Sequence, residues 1–421
     1  MRIWLLKDGD PLPTDGENIR LLRMGLIAQK LAEKGHQVIW WTSTLNHAKK
    51  AFRTTEDKDI SIYSNYIIKL LHGPGYKKNV SIQRILHNRI VARKFLSAAQ
   101  SEVIPNIILA ALPTVELAKA ATSYGKQYNV PVVLDLRDMW PDIMVDIMPK
   151  ILQPFARLVL SWQFCAAKRA CKDASALFGI TSGFLQWGLN YAGRKRNAFD
   201  AVYPLAYSDA KPKEVDLDKA TGFWRQYNIN SDKKSFVVVY VGSLVGSHKL
   251  SALIEILKKS SNDLKFIVAG DGPFLKEYQE QAQGCSNIIF TGWIDKPKLW
   301  VLLRMASVGV ALDAQRKDYL MSISNKVAEY FSAGLPVLSN LPETSELGKM
   351  LLENESGFCF NELDSGSFAE VLNKCRDDGQ LLKNISKNAR DLYEKMFVAE
   401  KVYANMCNHL ENIANNKKGS T

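Results

Sequence analysis

The amino-acid sequence predicts an α/β protein with two doubly wound domains, each a parallel sheet between helices. Short apolar segments of strand length alternate with segments of helical periodicity along nearly the whole chain, which is the pattern of consecutive βαβ units. The alternation stops over the polar stretch 208–233 and then starts again. The length of 421 residues is that of two domains of ordinary size. Because ligands of such sheets bind beyond the carboxyl ends of the strands, we expect the site in the loops there, in the cleft between the two domains.

The first domain, residues 1–207, opens as a βαβ unit. Arg2–Leu6 is the first predicted strand, and a helix with an apolar face that includes Leu31 follows until Gly35 ends it. The next strand is Gln37–Trp41, so that the connection is expected to be a right-handed crossover. Further strands of this domain are predicted at 106–110, 131–136, 174–180 and 201–207.

The second domain follows a polar linker. Residues 208–233 are predicted to hold only a short aromatic helix around Phe223, Trp224 and Tyr227. Apolar, β-branched segments then predict five strands, at 236–241, 264–269, 288–291, 308–312 and 336–339. A helical pattern separates each of these strands from the next, as in the first domain.

The composition excludes several classes of protein. Apolar residues make up 47% and charged residues 23%, which is typical of a globular protein and not of a disordered or collagen-like one. The six cysteines form no CxxC pair and no Cys/His cluster at zinc spacing, which argues against a structural metal site and a disulfide scaffold. Arg2–Leu6 is too short for the core of a signal peptide, and no window of 18 residues is uninterruptedly apolar. We therefore expect a cytoplasmic protein.

The net charge of +12 is concentrated in the first half of the chain. Residues 1–210 carry 28 basic and 17 acidic side chains, whereas residues 211–421 carry 27 and 26. Much of the excess lies in 49–104, where eleven lysines and arginines meet four acids. A nucleic acid, an anionic membrane face or a phosphorylated substrate could each attract such a region.

The segment 151–172 bears on that choice. Apolar residues recur at helical spacing from Ile151 to Trp162, and Lys168, Arg169 and Lys172 follow. Such a helix can lie in the interface of a bilayer, and it can equally pack on the sheet as an ordinary amphipathic helix. A nucleic acid is the least favoured partner, because the basic region lacks interleaved aromatic residues and matches no common binding module.

Two loops after strands of the second domain could approach a phosphate. The strand 236–241 runs into Gly242 and Ser243 and then, at Lys249, into a helix, so that backbone N–H groups, a helix N-terminus and a lysine face one place. A plain strand–helix connection with a surface lysine would have the same sequence. The strand 264–269 is followed by Gly270 and Gly272, which permit close approach of a second backbone or a ligand.

A third loop leads into a helix that carries Asn325, Lys326 and Glu329. Lys326 and Glu329 are one turn apart, and a carboxylate in this position is suited to accept hydrogen bonds from ribose hydroxyls. The alternative is a solvated ion pair between the two side chains. Gly334 is expected to end this helix and Pro336 to open a strand.

The order of these motifs resembles one family. Gly242-Ser243-Leu244 with Lys249, then FIVAGDGP (266–273), NIIFTGWI (287–294) and NKVAEYFSAGLPV (325–337), is similar to the donor-nucleotide half of a family-4 glycosyltransferase with the GT-B fold. In the first half, PTDGE (13–17) and EKGHQV (33–38) resemble that family's N-terminal glycine loop and strand entry. The segment DLRDMWPD (135–142) resembles a bacterial branch that builds O-antigen and capsule oligosaccharides and includes N-acetylfucosaminyl transferases.

The resemblance implies a role for each motif residue. In the donor half, Lys249 would contact the diphosphate beside the backbone of Gly242 and Ser243, with Gly270 and Gly272 in the adjoining loop, Ile294 near the nucleobase, Glu329 on the ribose, and Asn325 and Lys326 facing the diphosphate or the sugar. Gly16 would let the loop of the first domain approach the transferred sugar. Arg137 falls where many relatives have a histidine near the reacting centre, and Asp138 lies beside it.

Two positions depart from the family pattern. The paired glutamates of the family are eight residues apart, and the residue eight before Glu329 is Met321. Ser243 stands where an arginine that binds phosphate is common.

Asp8-Gly9-Asp10 has the form of a metal-binding motif of another transferase fold, but it follows the first strand of a βαβ unit, so we expect no metal. Asp138 is either an acid or base at the acceptor site or the N-cap of a helix.

The expected activity is transfer of a sugar, an N-acetylated hexose or deoxyhexose, from a UDP-sugar to a membrane-attached glycan intermediate in O-antigen, lipopolysaccharide or capsule synthesis, with retention of configuration and without a metal or other cofactor. Residues 1–207 would bind the acceptor, residues 208–390 the nucleotide-sugar, and residues 391–421, with a closing helix at about 390–413, would cross back to the first domain. The protein would lie on the inner face of the cytoplasmic membrane through its basic N-terminal domain and 151–172, without binding nucleic acid. The alternatives are a nucleotide-sugar 2-epimerase of the same fold and a non-catalytic partner.

Overall fold

The computed structural model of the protein describes residues 1–16, 19–229, 235–245, 250–258, 264–361 and 364–418. The chain divides into two compact units. Unit 1 comprises Met1–Pro204 together with Glu400–Thr421, and unit 2 comprises Leu205–Ala399.

Unit 1 is built on an eight-stranded sheet with the strand order β10-β9-β8-β7-β1-β2-β6-β5. Its strands, with a separate two-stranded ribbon β3-β4, are β1 (Arg2–Leu6), β2 (Gln37–Ser43), β3 (Leu45–Asn46), β4 (Ala51–Phe52), β5 (Lys58–Tyr63), β6 (Tyr66–Leu71), β7 (Ile107–Leu112), β8 (Val132–Leu136), β9 (Ala176–Gly179) and β10 (Ala201–Val202). All neighbours in the sheet are parallel except β5, which pairs with β6 antiparallel. The strand order reverses direction between β1 and β7, so the switch point of the sheet lies there.

The helices of unit 1 connect these strands. They are α1 (Arg23–Glu33), α2 (Ile82–Ala98), α3 (Val115–Gln127), α4 (Asp142–Asp146), α5 (Gln153–Val159), α6 (Ser161–Asp173) and α7 (Ser182–Ala192), with short 3-10 turns at Ala99–Ser101 and Lys150–Leu152. Gly35, with φ +81°, follows the end of α1 as predicted. All six residues of β7 are buried, as expected for a central parallel strand that is covered on both faces.

Unit 2 contains a six-stranded, wholly parallel sheet with the order β13-β12-β11-β14-β15-β16. Its strands are β11 (Phe236–Val241), β12 (Leu264–Ala269), β13 (Ile288–Gly292), β14 (Val308–Ala311), β15 (Val337–Ser339) and β16 (Gly357–Cys359). Its helices are α8 (Glu214–Arg225), α9 (Leu250–Lys258), α10 (Leu275–Gln281), α11 (Lys296–Met305), α12 (Lys317–Leu320), α13 (Asn325–Ser332), α14 (Glu346–Glu353), α15 (Ser365–Asp377) and α16 (Gly379–Met396). The switch point lies between β11 and β14.

The C-terminal helix, α17 (Ala399–Lys418), belongs to unit 1 from Glu400 onward. His409 stacks on Phe178 with ring centroids 5.0 Å apart, and its Nδ1 lies 2.9 Å from the hydroxyl of Tyr203. Glu411 forms an ion pair with His36 at 2.8 Å. The prediction of one closing helix at about 390–413 is wrong, because α16 ends at Met396 and α17 begins at Ala399.

Three further expectations are corrected. The strand predicted at 201–207 is only Ala201–Val202, and β3 to β6 and β16 were not predicted. Residues 208–233 are more than a linker, since α8 buries Trp224 completely in the core of unit 2, where its Nε1 donates to the carbonyl of Lys298 at 2.9 Å. The single helix expected over 151–162 is split at Leu160 into α5 and α6.

Candidate active site

The carboxyl edge of the unit 2 sheet brings the predicted donor loops together. Gly242 follows β11 with φ +146°, a backbone conformation that favours glycine, and its N–H donates to the carbonyl of Ala269 at the end of β12. Asp313 follows the neighbouring strand β14 and is 4% exposed. The two loops therefore flank the switch point, where a doubly wound sheet opens a crevice for a ligand.

Two tyrosines hold this edge in place. The hydroxyl of Tyr330 accepts from Val241 N at 2.8 Å and donates to Val310 O at 3.2 Å, so it ties the ends of β11 and β14 together. The Tyr330 ring fits because residue 309 is glycine, and a Cβ there would lie 2.5 Å from the ring. The Tyr240 hydroxyl donates to Ser243 O at 3.0 Å. This bond fixes the start of the loop that follows β11 at Gly242, which we call the glycine loop. Burial raises the pKa of both phenols, so they remain neutral donors.

Lys326 lies beside Gly242, although the two residues are far apart in the sequence. Its Nζ donates to Leu312 O at 3.1 Å and is 3.5 Å from Asp313 Oδ1. Its Cε is 3.7 Å from the position that a Cβ on Gly242 would occupy. The structure thus places the Lys326 ammonium at the glycine loop and pairs it with a buried aspartate that sequence reasoning missed, whereas its contact with a diphosphate or a sugar stays a prediction. An acid directly after a buried strand was the available signal.

The N-terminus of α13 completes the described part of this edge. The helix starts at Asn325 after Ser324, whose Oγ is buried and forms no hydrogen bond with the described residues. The first backbone N–H groups of a helix have no partner within it and favour an anion. Glu329, one turn along α13, is only 3% exposed. Met321 follows the short helix α12, so an apolar side chain stands where the family has its second glutamate.

Gly270 and Gly272 have a packing role that the sequence did not distinguish from ligand contact. A Cβ on Gly270 would lie 1.8 Å from the carbonyl oxygen of Gly242, and a Cβ on Gly272 would lie 2.3 Å from that of Leu244. The two loops are also joined by a hydrogen bond from Leu244 N to Asp271 O at 2.9 Å. The glycines are therefore required for the glycine loop to rest on its neighbour, and their contact with a donor stays a prediction.

The remaining donor residues are placed as follows. Ile294 follows β13 and is half-buried against the core of unit 2, beside Trp293, which is exposed. Ser243 is exposed at the tip of the glycine loop. Lys249 lies outside the described residues. Their contacts with a nucleotide stay predictions.

A network of buried ion pairs surrounds Arg137 at the carboxyl edge of unit 1. Arg137 Nε donates to Asp135 Oδ2 at 2.5 Å, and its Nη1 donates to Asp10 Oδ2 at 3.1 Å. Arg23 Nη2 is 2.8 Å from the other oxygen of Asp135, and Lys7 Nζ is 3.3 Å from Asp10 Oδ1. Arg137 Nη2 is buried and forms no hydrogen bond with the described residues. The Nη2 amino group of the guanidinium can therefore donate to an anionic or hydroxylated ligand.

The charges in this network are set by their partners. Burial alone would raise the pKa of Asp10, but Lys7 and Arg137 outweigh it and lower the pKa of that carboxyl. Burial alone would lower the pKa of Arg137, but Asp135 and Asp10 outweigh it and raise the pKa above its ordinary value. Asp10 and Arg137 are thus both ionised in the folded protein. Charges that are fixed in position and shielded from water interact strongly with a charge that develops close to them.

Asp8 and Asp10, the carboxylates of the suspected metal motif, are bound by other side chains. Asp8 Oδ1 accepts from Ser43 Oγ at 2.6 Å, and its other oxygen is 3.5 Å from His87 Nε2. Gly75 N donates to His87 Nδ1, so the imidazole hydrogen is on Nε2 and faces Asp8. The described residues contain no group of three or more His, Cys, Asp or Glu side chains placed to hold a metal ion.

Asp138 lies next to Arg137 and accepts from Met139 N at 2.9 Å. Its interpretation as a helix N-cap is wrong, because α4 begins at Asp142 and its N-cap is Pro141. A role of Asp138 as an acid or base stays a prediction.

The glycine loop of unit 1 is held by Arg53. Its guanidinium donates to both oxygens of Asp15, at 2.6 and 2.7 Å, and to Leu45 O at 2.8 Å. Burial would raise the pKa of Asp15, but the bonds from Arg53 lower it, so the pair is charged. Gly16 follows with φ +155° in an exposed position, with open space where a Cβ would be. The loop is thus anchored at Asp15 and open at Gly16.

The segment after α4 presents an apolar surface to solvent, which we call the apolar ridge. Its eight exposed side chains are Ile147, Met148, Ile151, Leu152, Phe155, Leu158, Val159 and Trp162. The exposed Lys150 and Arg157 lie among them. The alternative in which this face packs on the sheet is therefore wrong for 151–162, whereas α6 does bury Ala166, Ala167 and Ala170. Among the described helices, none is long and apolar enough to span a membrane.

The comparisons with known proteins address unit 2 first. Residues 225–392 match the family described as "Glycosyl transferases group 1". The second unit carries a glycosyltransferase group 1 domain. The chain is also 23% identical over 164 residues to O-antigen chain mannosyltransferase C of Escherichia coli, and that match spans 38% of this chain and 43% of the mannosyltransferase.

Solved structures show the same fold over the whole chain. Sucrose-phosphate synthase from Thermosynechococcus elongatus has a TM-score of 0.73 at 14% identity, over 100% of both chains. Anabaena HepE in complex with UDP-glucose has a TM-score of 0.65 at 16% identity, over 98% of this chain and 100% of HepE. WaaG, a glycosyltransferase involved in lipopolysaccharide biosynthesis, has a TM-score of 0.63 at 15% identity, over 97% and 99%. The predicted GT-B fold is confirmed, and the glycine loop, Lys326 and the start of α13 all lie in the glycosyltransferase group 1 domain.

Proposed function

We propose that this glycosyltransferase moves an N-acetylated hexose or deoxyhexose from a UDP-sugar to a membrane-attached glycan intermediate in bacterial surface polysaccharide synthesis. The reaction proceeds with retention of configuration and without a metal. The observation that carries the proposal is the convergence of Gly242, Lys326 and the N-terminus of α13 at the switch point of the glycosyltransferase group 1 domain.

The diphosphate is the part of the donor for which this edge is best suited. An ammonium group, the N–H groups at a helix start and a glycine turn are three independent ways to stabilise negative charge. The contact with Asp313 holds Lys326 in place at this edge. As the bond to the sugar breaks, charge accumulates on the leaving diphosphate, and these groups stabilise it without a metal ion. Lys249 is proposed as a second cation there.

The sugar and its acceptor are proposed from the first unit. The segment 135–142 resembles a branch that includes N-acetylfucosaminyl transferases, which favours an N-acetylated sugar. Arg137 Nη2 forms no hydrogen bond with the described residues. This amino group is proposed to contact the transferred sugar or the donor phosphate near the reacting centre. Asp138 beside it is proposed to exchange the proton of the acceptor hydroxyl.

The apolar ridge supports a membrane-attached acceptor. Eight exposed apolar side chains on one segment are unusual for a water-exposed surface, and Lys150 and Arg157 among them suit the anionic lipids of an inner membrane. HepE was solved with UDP-glucose, and WaaG acts in lipopolysaccharide biosynthesis, which favours a UDP-sugar and a surface glycan. The protein is accordingly proposed to work at the cytoplasmic face of the inner membrane.

A 2-epimerase of the same fold is the less favoured alternative. Its substrate and product are both water-soluble nucleotide-sugars, so the apolar ridge would have no purpose. Of the relatives named above, two are named as transferases and one as a synthase. A non-catalytic partner is disfavoured because Lys326 and Glu329 are both present at the donor edge.

The donor assignment is tested by calorimetric titration of the whole protein with UDP, GDP and NAD. Selective binding of UDP is expected. Lys326→Ala and Lys249→Ala should each weaken UDP at least tenfold, because each removes a charge-assisted contact with phosphate. Glu329→Gln should weaken UDP but not inorganic pyrophosphate, because the ribose is its proposed partner.

The matched control is Lys349→Ala, which removes an exposed lysine from α14 of the same unit and should leave UDP binding within twofold of wild type. Equal binding of UDP, GDP and NAD would refute the donor assignment, as would full UDP affinity in Lys326→Ala. The sugar is tested by comparing UDP-N-acetylglucosamine with UDP-glucose, of which the first should bind more tightly.

A further inference from the structure

A second polar cluster lies at the carboxyl edge of the unit 1 sheet, and the proposed mechanism does not use it. It consists of His47 and Lys50 between β3 and β4, Tyr76 and Asn79 after β6, and Arg84 in the first turn of α2. We call it the Tyr76 cluster. His47 joins it to the β1 loop, since a Cβ on Gly9 would lie 3.3 Å from His47 Cβ.

Two cations converge on one tyrosine in this cluster. Lys50 Nζ lies 4.8 Å from the centroid of the Tyr76 ring, and the guanidinium carbon of Arg84 lies 5.4 Å from it. Asn79 connects the same two residues, because its Oδ1 accepts from Lys50 at 2.5 Å and its backbone carbonyl accepts from Arg84 Nη1 at 2.7 Å. Like charges repel, so this arrangement has a cost that a bound anion would offset.

Among the described residues, no carboxylate forms an ion pair with Lys50 or Arg84, although the buried Glu116 interacts electrostatically with Arg84. The carboxyl that acts on Lys50 and His47 is Asp8, whose own oxygens are taken by Ser43 and His87. His47 Nδ1 is 2.6 Å from the Tyr76 hydroxyl and 3.3 Å from Lys50 Nζ, so it acts as an acceptor. Burial, together with Lys50, Arg84 and Lys7, lowers the pKa of His47 to about 4. The cluster is therefore a region of positive potential at neutral pH.

The cluster is arranged to receive a ligand from solvent. Arg84 Nε is buried and donates to none of the described residues, although its guanidinium also stacks on Trp140 at 4.4 Å. Asn79 is exposed and Lys50 is half-buried, so the space between the cations is reachable. Lys50 has φ +53°, which an L residue rarely adopts, and its side chain is held near Tyr76 by the bond to Asn79 Oδ1.

We propose that Lys50 and Arg84, the two cations beside the Tyr76 ring, form a subsite for a phosphate group of the acceptor. This inference rests on the proposed function and deepens it by naming the chemical class of the acceptor as a phosphate or diphosphate ester. A guanidinium and an ammonium are the side chains that bind phosphate oxygens best, and a partly enclosed aromatic ring keeps both in place. Ile82 and Leu86, exposed on α2 beside Arg84, favour an ester of a lipid over that of a soluble sugar.

The test titrates the whole protein, saturated with UDP so that the donor edge is occupied, with farnesyl diphosphate and separately with glucose 6-phosphate. Arg84→Ala and Lys50→Ala are each expected to weaken farnesyl diphosphate at least tenfold and to leave UDP binding unchanged. The matched controls are Arg93→Ala, an exposed arginine further along α2, and Lys126→Ala, an exposed lysine at the end of α3. Both controls should remain within twofold of wild type.

The outcomes separate the subsite from the donor assignment. Farnesyl diphosphate binding that is the same in Arg84→Ala and Lys50→Ala as in wild type would overturn the subsite, whatever UDP does. Loss of farnesyl diphosphate binding in these variants supports the subsite. If UDP does not bind, the same titration is run without UDP, and the same loss supports the subsite while the donor assignment fails. Tighter binding of glucose 6-phosphate, with the same dependence on Arg84, would support the subsite and assign it to a soluble phosphate ester.

A measurement on the unaltered protein guards against variants that fail to fold. A phosphate held by Lys50 and Arg84 offsets their charge on His47, so the pKa of His47 should rise from about 4 when inorganic pyrophosphate is added to the UDP-saturated protein. Proton–carbon NMR of the histidine ring follows this titration. An unchanged pKa of His47 at saturating pyrophosphate would overturn the proposal.

Discussion

The apolar ridge makes a quantitative prediction about membrane binding. Phe155 is 66% exposed and Leu158 is 72% exposed, and both lie on α5. We expect the double substitution Phe155→Ser and Leu158→Ser to reduce binding to vesicles while leaving the fold intact, because neither side chain contributes much to the core. The matched control is Leu352→Ser, which replaces an exposed leucine of α14 in the other unit.

The size of the effect follows from the exposed area. A phenylalanine can bury roughly 150–250 Å² and each Å² of apolar surface is worth about 25 cal/mol, so the exposed two thirds of Phe155 is worth about 3 kcal/mol if it is fully inserted. The exposed part of Leu158 adds about 1–2 kcal/mol on the same basis. Insertion into an interface is partial, so half of this sum, about 2–2.5 kcal/mol, is the expected loss for the pair. That loss corresponds to roughly a 30- to 70-fold weaker partition.

The assay is co-sedimentation with vesicles of phosphatidylglycerol and phosphatidylethanolamine, repeated with phosphatidylcholine alone. Wild-type protein and Leu352→Ser should bind the anionic vesicles, and binding should weaken as salt is added, since Lys150 and Arg157 contribute electrostatically. The double variant should lose most of its binding at every salt concentration. Equal sedimentation of the double variant and wild type would show that the ridge does not meet the bilayer.

Three further predictions concern the interior. Asp10→Asn should destabilise unit 1 by about 3–5 kcal/mol in urea unfolding, because it leaves Arg137 short of a buried partner. Folding lowers the pKa of Asp10, so its contribution to the free energy of unfolding is present above about pH 4 and is lost as the pH falls further. The difference in free energy of unfolding between variant and wild type should therefore shrink from pH 6 to pH 3. A constant difference would contradict this. Gly270→Ala should abolish UDP binding, because its Cβ would lie 1.8 Å from a carbonyl oxygen. The control Gly222→Ala, in open space on α8, should be neutral or stabilise the protein by about 0.5–1 kcal/mol in thermal unfolding. Equal behaviour of the two variants would refute the packing role of Gly270. Tyr330→Phe should lower the free energy of unfolding by about 1–3 kcal/mol, because the amide of Val241 at the end of β11 loses its acceptor. An unchanged melting temperature would show that this hydrogen bond is dispensable.

Much of the fold could be predicted because its signals are local. The strands β1, β7, β8, β11 and β12 are mainly apolar runs followed by a glycine, a proline or a charged residue, and the structure places them within one or two residues of the prediction. The positions of the glycine loops follow from the same patterns. Asp313 could have been found in this way, since it directly follows the predicted strand 308–312.

Other elements were missed because their local signal was ambiguous. β5, at the edge of its sheet, has mainly exposed side chains, so its Lys58 was counted with the basic residues of 49–104 and no strand was predicted. α8 was taken as part of a linker because its sequence is mostly polar, although Trp224 is fully buried. The segment 151–162 has the periodicity of a core helix, yet periodicity shows only that a helix has an apolar face and not what covers it.

The linear pattern therefore predicted most strands and helices in their order along the chain, and the glycine turns that follow strands. Which strands are neighbours, and hence where each switch point lies, depends on tertiary packing, as does the pairing of charges. Arg137 bonds to Asp10 across 127 residues, Lys326 meets Asp313 beside Gly242, and Lys50 and Arg84 converge on Tyr76. The physical reason is that an ion pair and the pKa of its members depend on distance and burial in space, and these arise from packing between segments that no linear pattern relates.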